Sequence, residues 1–375
     1  MKKKILIILT SIFVLLVIVI VSLYIANSAV REWMDIYIFR KNVIQEDLPT
    51  ILLENENSNI YAYDNHIVVL QDNKLIIYNT SGKEERTINV SITTPIFKSC
   101  GKYLILAEKN GKNVYLIYNT ELQWQKSMEG NVSKVAVNKN GSVGVVLTGT
   151  THKSVIVMYG LTGTEEFKTY LASTVAIDLS ISEDSRFLSF AEINTSGTTI
   201  SSAIKTVSVE KARTAPAEAI IYKYEPEKNG LVVNIQYYKD KLICQYDNTV
   251  YTFKDGESKK ILDIDNKTLF TDIDVIGYIC NIVETSSGIL SSEYEAKVVN
   301  PENSKENTYF LESMPKSLIC SDTIIGINMG NKIEFINHSA WLLKSFTSKQ
   351  SFKDVVIGDG VIGIIYKDRV EIISI

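Results

Sequence analysis

The sequence predicts an all-β chain built from about eight copies of a four-strand unit, preceded by one apolar N-terminal helix. Three observations carry this. No charged residue occurs from Ile5 to Val30, directly after Met1-Lys2-Lys3-Lys4. From about residue 58 onward, short apolar runs alternate with turn residues, and no long helical period survives. The tyrosines that close the middle strand of the first three units, Tyr78, Tyr118 and Tyr159, stand 40 and 41 residues apart.

Composition sets the outer bounds. A chain of 375 residues, 45% hydrophobic and 22% charged, can bury a full core. Its formal charge of -4 supplies no broad basic field, so nucleic acid is not expected as a partner. Abundant Ile, Asn, Lys and Tyr with only 6 Pro is the bias of AT-rich bacterial coding. Cys100, Cys244, Cys280 and Cys320 lie at scattered spacings without a C-x-x-C, which indicates neither a zinc site nor a disulfide framework.

At the N-terminus, residues 1–4 form a short basic tail and residues 5–27 an apolar run. Twenty-odd helical residues at 1.5 Å each span roughly 30 Å, the hydrocarbon thickness of a bilayer. A signal peptide has a shorter apolar core, roughly 7 to 15 residues, although Ala26-Asn27-Ser28 resembles a cleavage site. The expectation is an uncleaved single-pass anchor in the lipid bilayer. Lys2, Lys3 and Lys4 crowd one flank while Arg31, Arg40 and Lys41 are diluted along the other, which places the tail in the cytoplasm and the body outside. Residues 28–47 read as an amphipathic linker, with Val30, Trp33, Met34, Tyr37 and Ile38 on one helical face. Lys4, Trp33 and Tyr37 are the expected membrane-interface residues; the competing reading is an ordinary helix docked on the domain.

Residues 48–375 form the repeat domain. "HIVVLQDNKLIIYNTSGKEERTINV" gives an apolar run, a D-N turn, a second run, a Gly turn and an alternating polar strand. "GKYLILAEKNGKNVYLIYNTELQWQKSM" and "GSVGVVLTGTTHKSVIVMYGLTGTEEFKTYL" repeat it, and looser copies run to "DRVEIISI". Second strands such as "HIVVL", "YLILA", "FLSFA" and "VIGII" are near-continuous apolar runs, as burial on both faces requires. A four-strand unit of roughly 40 to 50 residues is the period of a β-propeller blade. Eight copies are counted; a merged weak unit near 200–230 would make the number seven. The last copy ends without an outer strand, and "PTILLEN" (49–55) ahead of the first is placed to supply it and close the ring.

"GDGVIG" (358–363) spells the G-x-G-x-x-G of a dinucleotide loop, but strand patterns lie on both sides and no helix follows to meet a phosphate. Asp359-Gly360 is read as a hairpin turn with Gly363 in the next strand, and no cofactor is expected. His66, His152 and His338 fall in turns of different units, too far apart for a metal cluster, and no nucleophile–base pairing is evident. "DIDNKTLFTDID" (263–274) lacks the glycine and terminal Glu of a calcium loop and reads as a solvated turn. Trp124 and Trp341 echo the outer-strand tryptophans of redox quinoproteins and are read as rim anchors between blades.

Through "LIIYNTSGKE" and "YLIYNTELQW", residues 49 to 375 resemble the WD-repeat and quinoprotein-like propellers. The Lys-tipped anchor, aromatic linker and degenerate propeller together resemble an uncharacterised Gram-positive family of single-pass propeller proteins, a domain of unknown function. The resemblance implies a bacterial cell-surface propeller and carries no catalytic residues. Two connections between second and third strands are long and rich in hydroxyl residues, Glu192–Ala203 and Glu284–Glu295. Connections of one type emerge on one face, so Thr195, Ser196, Thr198, Glu284, Ser287, Glu293 and Tyr294 are the candidate binding residues. The expected function is a non-enzymatic interaction or ligand-binding module of the envelope, with a protein or glycan partner. The alternative is a glycan-active or redox propeller enzyme with its site at the central channel.

Overall fold

A computed structural model of the chain describes residues 2–27, 30, 33, 34, 38 and 48–374, except 227–229, 275, 288–291, 322 and 349. Eight four-stranded antiparallel sheets follow one another around an axis. Seven are contiguous in sequence, over 59–89, 95–127, 131–171, 175–224, 232–263, 268–311 and 317–347. The eighth combines 354–374 with Thr50–Leu52 from before the first blade. The architecture is the eight-bladed β-propeller, and the weak unit near 200–230 is a complete fourth blade.

Thr50, Ile51 and Leu52 pair antiparallel with Glu371, Val370 and Arg369. Two bonds extend the ladder, from Leu53 N–H to the Asp368 carbonyl at 2.9 Å and from Ile372 N–H to the Pro49 carbonyl at 2.8 Å. Closure with the first segment of the domain covers the outer edge of Arg369–Ser374, which would otherwise offer its free N–H and C=O groups to other molecules.

Second strands are the most buried. In blade 1, His66–Gln71 is buried at every position but the last, and in blade 8 Val361–Ile365 is buried throughout. The polar fourth strand Glu84–Asn89 exposes all but Ile88. Each blade therefore buries apolar side chains on both faces of its middle strands, where each contributes about 1.5–3 kcal/mol of transfer free energy. Core clusters run across neighbouring blades: Leu104, Leu106, Tyr115 and Ile117 of blade 2 pack with Val68, Leu75 and Ile77 of blade 1.

The glycines of 358–363 serve this packing. Gly360 turns the hairpin at φ 78°, and a Cβ on Gly358 would stand 2.6 Å from the Asp64 carbonyl of blade 1. Strands Asp354–Gly358 and Val361–Ile365 flank the turn, so no helix N-terminus is there to face a phosphate.

Helix α1 spans Lys2–Ala26. Among the described residues, no helix is long and apolar enough to cross a membrane, so the anchor expected over 5–27 is not shown. Of the expected interface residues, Trp33 is exposed, the Lys4 side chain and Tyr37 lie outside the described residues, and Met34 of the same face is buried. In blade 4 the chain between third and fourth strands forms a short helix, α2 (Val209–Thr214), whose Ser208 hydroxyl accepts from Lys211 N–H.

Candidate functional site

A blade's first strand runs away from the face on which the preceding blade ended, so connections between second and third strands share that face with the inter-blade loops. Most strands have five to seven residues, but the second and third strands of blades 4 and 6 are longer: Phe187–Asn194, Ser201–Ser208, Ile279–Ser287 and Ser292–Val299. The segments singled out in the sequence are therefore partly ladder, up to the pairs Asn194↔Ser201 and Ser287↔Ser292, with 195–200 forming the blade 4 connection. Their hydroxyl and β-branched residues suit extended pairing, which continues the blade into a raised hairpin.

Blade 5, between them, turns back through Asp247-Asn248 directly after Tyr246. Two raised hairpins thus flank a lower rim. Its inter-blade edge presents Leu231 and Val233, the latter 55% exposed, and Ile200 stands exposed on the blade 4 hairpin. Thr195, Ser196 and Thr198 sit exposed at the blade 4 tip. Glu284 pairs with Tyr294 across the blade 6 ladder, and Glu293 is exposed beside them. The Ser287 side chain lies outside the described residues. The structure brings the blade 4 residues together on one hairpin and Glu284, Glu293 and Tyr294 on the other, with blade 5 between. Leu231 and Val233 were missed in the sequence because an apolar pair at a strand start looks like core.

At the base of the blade 4 hairpin lies a polar notch of about 390 Å³. Glu192 is buried there, held by Lys205 at 2.6 Å and by the Thr174 hydroxyl at 2.7 Å. A buried carboxylate with both partners satisfied is a strut for the hairpin.

First strands of all eight blades line an axial channel of about 550 Å³. A first strand has a neighbour on one side only, and side chains from adjacent blades satisfy its free edge. Asp178 Oδ2 accepts from Ile235 N–H at 3.0 Å and Ser180 Oγ from Tyr237 N–H at 2.9 Å, both joining blade 4 to blade 5. Gln236 Nε2 donates to the Asp274 carbonyl at 2.9 Å, and Asp272 Oδ2 accepts from Cys320 N–H at 2.9 Å. Burial raises the Asp178 and Asp272 carboxyls above the ordinary range, while their amide donors and the Lys98 ammonium act the other way. An aspartate inside an otherwise apolar strand, as in "AIDLSI", was the sequence signal for this girdle.

Asp272 and Asp274 correct the reading of 263–274 as a solvated turn. Asp274 is 1% exposed and meets His338 Nε2 at 2.6 Å, joining blade 6 to blade 7, with Tyr278 stacked on the ring at 4.0 Å. Burial raises the Asp274 carboxyl despite the imidazole beside it. His66 meets Glu85 at 3.0 Å within blade 1, and His152 contacts Thr151 and Tyr170 in blade 3. Among the described residues, no group of three or more His, Cys, Asp or Glu could hold a metal ion. Trp124 donates from Nε1 to the Leu161 carbonyl of blade 3 at 3.1 Å and so anchors the rim. Trp341 is instead 64% exposed, in a turn whose Asn337 side chain accepts from the Trp341 backbone N–H.

Residues 44–375 match a family described as Family of unknown function (DUF5711). No curated protein matches the chain. Among solved structures, the chain is similar to BamB from Moraxella catarrhalis at 9% identity, over 88% of this chain and 97% of that one, with a TM-score of 0.50. It is similar to the C-terminal WD40 domain of Sif2 at 10% identity, over 87% and 99%, with a TM-score of 0.56. Chaetomium thermophilum Sqt1, bound to the N-terminus of the ribosomal protein L10, is similar at 10% identity over 88% and 100%, with a TM-score of 0.52. Likeness at these identities speaks to the fold alone.

Proposed function

The chain belongs to the family of unknown function DUF5711, and we propose that it is a membrane-tethered propeller of the bacterial envelope that binds a protein partner on its hairpin face. The single observation behind this is the break in the repeat: two hairpins rise on one face and flank a lower rim with exposed apolar side chains. An elongated peptide segment fits such a trough, with Leu231, Val233 and Ile200 as apolar contacts and the hairpin hydroxyls and Glu284 and Glu293 as polar ones. Sqt1, of the same fold, is bound to the N-terminus of another protein. The channel supports the enzyme alternative less well, because its half-buried Asp178 and Asp272 are engaged with neighbouring blades.

Tethering and an outside location rest on the N-terminal segment. Large apolar side chains of α1, such as Phe13 and Leu15, are about two-thirds exposed at 67% and 65%, an arrangement costly in water and favourable in lipid. The three lysines ahead of them favour a cytoplasmic tail.

A photoreactive amino acid placed at Val233 or Ile200 in the living cell tests the face, with Leu161 and Trp341 on the opposite face as controls. A discrete cross-linked species from the first pair and none from the second is expected. Equal labelling from both faces, or none from Val233 and Ile200, would overturn the reading. The tether is tested separately by alkaline extraction of membranes and by external protease; release by alkali or protection of the propeller in intact cells would count against it.

A further inference from the structure

Two of the four cysteines meet across a blade boundary. Cys280 lies in the second strand of blade 6 and is fully buried; Cys320 lies in the first strand of blade 7 and lines the axial channel. Asp272 stands between them. It is the cross-strand partner of Cys280 in the blade 6 ladder, and its Oδ2 accepts from the Cys320 backbone N–H at 2.9 Å. Cys320 packs against the apolar cluster that contains Cys280, so both side chains belong to one contact layer between the two blades. Cys100 and Cys244 belong to blades 2 and 5.

We propose that Cys280 and Cys320 are a dithiol that oxidises to a disulfide linking blade 6 to blade 7, with small disulfides reaching it through the channel. Cys320 is the entry point because it forms part of the channel wall, whereas Cys280 sits behind it. The Cys320 thiolate attacks a sulfur of a small disulfide such as oxidised glutathione, forming a mixed disulfide and releasing one glutathione thiolate. Cys280 loses its proton and attacks the Cys320 sulfur of that mixed disulfide, and the second glutathione departs as thiolate. Two protein thiols thus lose two electrons and two protons, and one molecule of oxidised glutathione becomes two of the reduced form. Burial pushes the Cys320 thiol well above its usual range, so the thiolate is scarce at neutral pH. Its rate of reaction should therefore rise about tenfold for each pH unit while the thiol remains protonated.

The site stands apart from the partner-binding proposal, since it rests on channel residues and not on the hairpin face. Its consequence is mechanical. A bond between residues 40 positions apart would hold the blade 6 and blade 7 boundary closed and restrict the unfolded chain.

The test uses the purified full-length chain, incubated with excess oxidised glutathione at neutral pH and at about pH 9, then unfolded, alkylated and analysed by peptide mass spectrometry. A Cys280–Cys320 linked peptide is expected, forming faster at the higher pH, together with a Tm increase of roughly 5–10 °C that dithiothreitol reverses. C280S should stop at a single glutathione on Cys320, and C320S should leave Cys280 fully alkylatable. The parent chain alone decides the matter if either variant fails to fold. Persistence of both thiols after prolonged oxidation at about pH 9, or a parent chain that halts with glutathione on Cys320 and Cys280 free, would overturn the proposal.

Discussion

Ring closure depends on three residues, and Ile51 is the one that reports on it. Its side chain is 3% exposed and packs with Ile67 and Val69 of blade 1 and Val361, Val370 and Ile372 of blade 8. Replacing a buried Ile by Ala costs 2–5 kcal/mol in transfer and cavity terms, so I51A should lose about 3 kcal/mol. For a domain of this size each kcal/mol moves Tm by about 2 °C, giving a fall of about 6 °C. I51V should cost about 1 kcal/mol and about 2 °C. Differential scanning calorimetry gives the shift, and hydrogen exchange gives its location: loss of protection should concentrate at the Leu53 and Ile372 amides, which bond across the closure. The control is I372A, on a side chain in the same cluster that belongs to the third strand of blade 8. If I372A falls by several degrees while I51A stays within about a degree of the parent, residues 50–52 do not hold the ring and the reasoning fails.

Asp272 separates charge from hydrogen bonding: D272A strands the Cys320 N–H and should cost about 1–3 kcal/mol at pH 7, whereas D272N keeps an acceptor and should be neutral or stabilising. Its raised folded-state pKa means the folded chain holds that proton more tightly than the unfolded one. The carboxyl's contribution is thus most favourable below the ordinary value of 3.8 and is lost as pH rises through the raised one. The stability of D272N relative to the parent should therefore increase from acid to neutral pH in denaturant titrations, and a flat difference would refute the assignment. H338A leaves the Asp274 carboxyl buried without its partner and should cost about 3 kcal/mol, with D274N costing less; equal small losses would show that the pair does not join the blades. W124A should lose about 2 kcal/mol through its contacts with blade 3, and W341A should stay within about 0.5 kcal/mol, both read by urea midpoint.

Much of the ring was legible because its signals are local. The eight second strands are near-continuous apolar runs, the pattern expected of a strand buried on both faces. "GDGVIG" was excluded as a phosphate loop by the strand patterns on either side, since that chemistry needs a following helix. The two unusual connections in blades 4 and 6 stood out as breaks in the repeat.

What remained hidden depends on neighbours distant in sequence. Trp124 and Trp341 look alike in outer-strand context, yet only Trp124 finds a carbonyl on the next blade. The aspartates of 263–274 read as solvated because acidic residues usually are; the ring decided otherwise by setting free backbone N–H groups and an imidazole opposite two of them. Leu231 and Val233, around the start of blade 5's first strand, are apolar in pattern and exposed in place. By itself the sequence determined the periodicity, the order of strands and the burial of each middle strand, all functions of residues a few positions apart. Tertiary structure alone decided which blades touch, how the ring closes, and that Cys280 and Cys320 meet, because those contacts join segments brought together only when eight similar sheets complete one circle.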